Sequence, residues 1–193
     1  MAEKIPNDIE AKKFFEEIVP KEFEERIKDS PIEGMEGTEF AVQFSITGEG
    51  GGTWTLVITD GKKMEVKPQE DEKAQITMTL DVNDWRDTVT GKIPGMDIMQ
   101  QMQSGKGGRA QFDKLKTISG TLRLELTKDD ESVLPMELMF NKGATPKTTL
   151  KAKATDYADI QSGKLNGQQA FMSGKLKISG DMGFAMKIGT MMM

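Results

Sequence analysis

Neither cysteine nor histidine occurs among the 193 residues. Without cysteine there is no disulfide framework, thiolate nucleophile, iron–sulfur cluster or thiolate zinc site. Without histidine the usual general base near neutral pH is missing, and so is the commonest metal ligand. Serine–histidine–aspartate, cysteine–histidine and histidine-ligated metal mechanisms are therefore excluded. Long apolar runs are absent too: nothing approaches the ~20 residues that a spanning helix needs. The N-terminal stretch MAEKIPNDIEAKKF has no apolar core behind its first charges and reads as neither signal nor transit peptide. Met191-Met192-Met193 is neither a peroxisomal tripeptide nor a prenylation box. These readings make a cytoplasmic protein the expectation.

What is present fits a water-soluble globular chain with 36% apolar and 30% charged residues, long enough for one large domain or two small ones. A net charge of −5 argues against a nucleic-acid partner. The charge is uneven: residues 147–193 hold seven lysines against three aspartates. The plain reading of that excess is a solvated face; the functional one is weak attraction to an anionic membrane surface. Fifteen methionines stand out. Methionine is unbranched and polarizable, so it suits surfaces that accept variable apolar shapes, although a methionine-rich core needs no such function.

Residues 8–29 read as helix, with Phe14, Phe15, Ile18, Val19, Phe23 and Ile27 on an apolar face and Pro20 ending one helix and starting another. Strands follow at 38–46, 54–59, 63–66 and 75–80, the first two joined by the glycine-rich 47–52. That connection lacks the phosphate-loop pattern and joins two strands, so it is no nucleotide site. Asp81 or Asn83 caps a helix through Trp85 to Gly91. Asp81-Val82-Asn83-Asp84 lacks the glycine and glutamate of a calcium loop. A short helix is expected at 94–102 and a strand at 116–126.

The chain repeats itself. Residues 83–92 (NDWRDTVTGK) align without gaps to 155–164 (TDYADIQSGK), sharing Asp, an aromatic, Asp, a hydroxyl, Gly and Lys. Each copy follows an alternating strand. The pattern describes a capped helix with a buried aromatic and a glycine at its end. A weaker match pairs Phe112–Lys116 with Phe171–Lys177.

The segment from Asp156-Tyr157 to Met182, above all Ala170-Phe171-Met172-Ser173-Gly174-Lys175-Leu176-Lys177-Ile178 with Gly180-Asp181-Met182, resembles the end of the sterol carrier protein 2 (SCP2-like) family. The resemblance implies an α+β fold: a mixed, largely antiparallel sheet covered on one face by helices, with an apolar tunnel between them for fatty acyl chains, sterols or phospholipids. This chain departs from the family in carrying one and a half units, 8–128 and 129–193, the second without an N-terminal helix. The two are expected to share one sheet.

Lipid transfer needs an apolar cavity, a closing element and a polar mouth, and no bond chemistry. No catalytic residue, metal ligand or cofactor is expected. The lining candidates are Phe171, Met172, Met182, Phe184, Met186 and Ile188, with Met96, Met99 and Met102 in the first copy. Their spacing leaves open whether 181–190 is a helix, with Met182, Ala185 and Met186 on one face, or a strand, with Met182, Phe184, Met186 and Ile188 aligned. Ordinary core packing stands beside the lining role for each, while Trp85 and Tyr157 are assigned to core. The competing function is a protein-interaction module that uses the methionine-rich surface; formation of a homodimer is open.

Overall fold

The computed structural model describes residues 5–29, 34–93 and 108–192. The chain opens with one helical run: α1 (Ala11–Lys13), a π-helical turn (Phe14–Ile18) and α2 (Val19–Asp29). The expected break at Pro20 is replaced by this turn. Pro20 lacks an N–H, and its ring would press on the carbonyl of Glu16 in a tight α turn. The wider register, with Val19 N–H donating to the Phe14 carbonyl, lets the run continue with Pro20 in the first turn of α2.

Four strands follow: β1 (Glu39–Thr47), β2 (Gly52–Thr59), β3 (Lys63–Lys67) and β4 (Ile76–Asp81). Helix α3 (Val82–Val89) starts at Asp81, whose carboxylate accepts from the Asn83 N–H at 2.8 Å. After α4 (Arg109–Leu115) come β5 (Gly120–Thr127), β6 (Val133–Phe140) and β7 (Lys147–Lys153). The chain ends through α5 (Ala154–Gln161), α6 (Gly167–Met172), β8 (Leu176–Gly180) and α7 (Met182–Met192). The helix expected at 94–102 lies outside the described residues. Three elements go beyond the sequence reading: α4, α6 and strand β6.

All eight strands form one sheet, in the order β3-β2-β1-β4-β6-β5-β7-β8. β1∥β4 and β5∥β7 are parallel, and the other pairings are antiparallel. Alternation gives the sheet two unlike faces. Phe44, Ile46, Leu80, Leu122, Leu124, Leu126, Leu134 and Met136 are buried beneath the helices, while Arg123, Lys151 and Lys177 on the other face are exposed. This is the α+β architecture the resemblance implied. Among the described residues no helix is long and apolar enough to cross a membrane.

The repeat extends into the pairing register. In the first copy Phe44 lies between Trp54 and Met78; in the second Leu124 lies between Met136 and Leu150. Met78 then pairs with Leu138, and Leu150 with Ile178. Strand β6 therefore fills two roles. Beside β5 it is the hairpin partner, as β2 is to β1; beside β4 it is the outer antiparallel strand, as β8 is to β7. The two copies are welded together through a strand that both use, and α4 precedes β5 as the N-terminal helical run precedes β1.

The helix-side core is continuous across this join. At one end Phe15 stacks on Trp54 at 5.0 Å and on Trp85 at 5.8 Å, and meets Phe44 at 4.9 Å. Trp85 and Tyr157, the repeated aromatics, are both buried. Gly91 and Gly163, which follow their helices, share a left-handed φ of 75°.

Candidate functional site

The C-terminal signature folds as it does for identifiable reasons. Gly180 ends β8 with φ +96°, and a Cβ there would run into the Lys147 carbonyl. Asp181 then caps α7: its carboxylate accepts from the Phe184 N–H at 2.7 Å, and its carbonyl accepts from the Thr148 hydroxyl at 2.6 Å. A glycine and an aspartate in this order turn the chain from the sheet edge back over the helix side.

Helical periodicity then divides the candidates. Phe184 and Ile188, four residues apart, point inward and are 3% and 1% exposed. Phe184 meets Phe140 edge-on at 6.2 Å. It packs so close to Gly120 that a Cβ at that position would lie 2.7 Å from its ring. Met182 and Met186 occupy another stripe and are 45% and 67% exposed. The strand alternative for 181–190, which aligned all four, is thereby overturned. Phe171 and Met172 at the end of α6 are also exposed. Phe171, Met172, Met182 and Met186 thus form an exposed apolar set on the two helices that flank β8 in sequence. Met96, Met99 and Met102 lie outside the described residues.

The sheet beneath offers residues that the sequence reading did not single out. Leu150 on β7 and Leu176 and Ile178 on β8 face the helices yet are only half-buried. Val42 on β1 and Ile76 and Met78 on β4 behave alike, although both strands lie inside the sheet. An inward apolar side chain on an interior strand is normally sealed by the covering layer, as Leu122 and Leu134 are at 0% exposure. Alternation predicts which way these side chains point, but not that helix cover over them is incomplete among the described residues. A cleft of ≈340 Å³ between α4 and α7 is lined by Lys114, Thr117, Ile118, Lys187 and Thr190. Four of these five residues carry polar or charged groups, and the cleft takes in none of the residues expected to line a tunnel.

The two copies differ in their polar groups. The Trp85 indole N–H is buried with no acceptor among the described residues, whereas Trp54 donates to Glu16 at 3.1 Å. At the position equivalent to Trp85, the Tyr157 hydroxyl accepts from the Gln161 side chain at 2.7 Å. Burial pushes the Tyr157 phenol up to about 12, with the Gln161 bond opposing. The repeated Asp84 and Asp156 each hold a lysine, Lys128 at 3.0 Å and Lys175 at 2.7 Å, and these hydrogen bonds raise both ammonium groups above their ordinary value. Lys128 follows β5 whereas Lys175 precedes β8, so the aspartate repeats but its partner comes from a different turn. Among the described residues no cluster of three or more acidic side chains is arranged to hold a metal ion.

A family model described as the SCP-2 sterol transfer family matches residues 21–107 and again 106–193. The two matches meet at 106–107, ahead of the division at 128/129 drawn from the repeat. Human Sterol carrier protein 2 is 32% identical over 88 residues, 46% of this chain and 14% of that protein. Peroxisomal multifunctional enzyme A of Dictyostelium discoideum is 48% identical over 56 residues, 28% of this chain and 13% of that protein. Hydroxysteroid dehydrogenase-like protein 2 of Danio rerio is 33% identical over 88 residues, 42% of this chain and 21% of that protein. The chain therefore spans between 13% and 21% of the length of these relatives. Among solved structures, apo Sterol Carrier Protein 2 from Yarrowia lipolytica aligns with a TM-score of 0.36 and 19% identity, covering 50% of this chain and 92% of that one. Sterol Carrier Protein 2 Like 2 from Aedes aegypti gives 0.33 and 21%, covering 38% and 73%.

Proposed function

The chain belongs to the SCP-2 sterol transfer family, and from that membership we propose that it binds and transfers a lipid without making or breaking bonds. The ligand class is a fatty acid, fatty acyl-CoA, sterol or phospholipid. The observation that carries this reading is the double family match, which takes in both copies. The incompletely covered apolar residues on the helix side of the sheet support it. Burying each methylene of an acyl chain contributes ~0.8 kcal/mol, so a partly enclosed chain already binds usefully.

In this reading the C-terminal ligand rests on Leu150, Leu176 and Ile178, with Phe171, Met172, Met182 and Met186 closing over it. Phe184 and Ile188 hold α7 in place from beneath. Exposed Lys164, which follows α5, and Lys187 on α7 favour transient contact with an anionic membrane surface, where a lipid is taken up or released. Polarizable methionines suit a closing surface that meets acyl chains of different shape.

Titration of delipidated protein with a fluorescent fatty acid tests the proposal. Wild type should bind, and Phe171→Asp should bind at least tenfold more weakly with an unchanged circular dichroism spectrum, since Phe171 is 44% exposed and not needed for the core. Unchanged affinity would remove Phe171 from the site. Absence of binding to fatty acid, acyl-CoA, sterol and phospholipid alike would overturn the proposal.

A further inference from the structure

The fusion of the copies raises the question of how many ligands one chain holds. The register places Met78 and Leu150 at equivalent points, each on the strand parallel to its copy's first strand, and each pairs outward with an apolar residue, Leu138 or Ile178. Both are half-buried on the helix side. Val42 and Ile76 extend the first gap along β1 and β4; Leu176 and Ile178 extend the second along β7 and β8. Between them the helix side of β5 and β6 is filled: Leu122, Leu124, Leu134 and Met136 are at most 2% exposed. Two apolar gaps separated by a packed wall are two sites, not one long tunnel.

We infer that the chain carries two separate acyl-chain sites, one over Val42, Ile76 and Met78 and one over Leu150, Leu176 and Ile178, and binds two lipid molecules at once. The inference rests on the lipid-binding reading above and adds a stoichiometry and a second location. β6 supplies the dividing wall, since its inward residues pack between the two gaps. Net transfer per encounter with a membrane would then be doubled without a longer chain.

The two tryptophans make the sites separable, because both belong to the first copy. Met78 lies two strands from Trp54, about 10 Å at the usual strand spacing, whereas Leu150 lies five strands away, about 24 Å. A bromine-bearing acyl chain quenches indole only at short range. Delipidated protein is titrated with oleate by native mass spectrometry and with dibromostearate by tryptophan fluorescence. Wild type should hold two oleates and be quenched. Ile178→Lys should hold one and still be quenched; Met78→Lys should hold one and lose the quenching. Met78→Phe, which fills the gap without adding charge, should repeat the latter result if the lysine variant fails to fold. A single oleate at saturation in wild type overturns the two-site inference and leaves the lipid-binding reading standing. Two oleates that neither Ile178→Lys nor the Met78 substitutions displace also overturn it. No bound oleate or dibromostearate overturns both sites as acyl-chain sites.

Discussion

Raising the pH probes the packing of the second copy through one group. Tyr157 is the only tyrosine in the chain, so phenolate absorbance reports it alone. It is 6% exposed, and burial disfavours the anion, moving its pKa from 10.0 to about 12. Because the folded value exceeds the unfolded one, the folded state keeps this proton longer. The associated stability is fully present below pH 10.0, falls as the pH rises, and is lost once the pH passes about 12. A gap of about two units corresponds to about 2.7 kcal/mol. The assay is twofold. Phenolate absorbance of the native protein should rise near pH 12, or abruptly with alkaline unfolding, and should rise near pH 10 in urea. The urea midpoint of wild type should fall relative to that of Tyr157→Phe across that window, which isolates this residue because every other ionisable group is common to both. A native protein that forms phenolate near pH 10 with its fold intact would place the hydroxyl in water and refute the packing of α5 described above.

Two further substitutions test the C-terminal turn. Asp181→Ala removes the cap on α7 and should cost about 1 kcal/mol in urea unfolding, with faster amide exchange at Phe184; unchanged exchange would show that α7 is held by packing alone. Gly120→Ala places a methyl 2.7 Å from the Phe184 ring at a φ of +145° and should destabilise by about 1–3 kcal/mol. In a Phe184→Ala background that penalty should shrink, and strict additivity of the two changes would mean that they do not press on each other.

The sequence carried the strands of the first copy plainly, because Phe40, Val42, Phe44 and Ile46 alternate without interruption. The Asp-aromatic repeat likewise marked α3 and α5, since each helix needs a buried ring and a glycine end. β6 escaped because Pro135 interrupts an otherwise clear alternation of Leu134, Met136, Leu138 and Phe140. The structure accommodates it: β4 pairs with β6 only from Glu137 to Phe140, so Pro135 lies beyond the stretch paired on both sides. Helices α4 and α6 have seven and six residues, too few to establish a period. At the candidate site, α7 was ambiguous because Met182, Phe184, Met186 and Ile188 satisfy a period of two as well as helical pairing. The half-buried Met78 and Leu150 were illegible in principle. Their exposure depends on where helices distant in the chain come to rest, and no local pattern records that.

The shared strand also bears on how this chain can change over time. An ordinary tandem duplication frees one copy to drift while the other keeps its task. Here Leu138 faces Met78 across one ladder and Leu122 across the other, so any replacement must suit two neighbourhoods at once. The copies are therefore structurally tied: deleting either would remove a strand that β6 pairs with, and a substitution in β6 must satisfy both ladders.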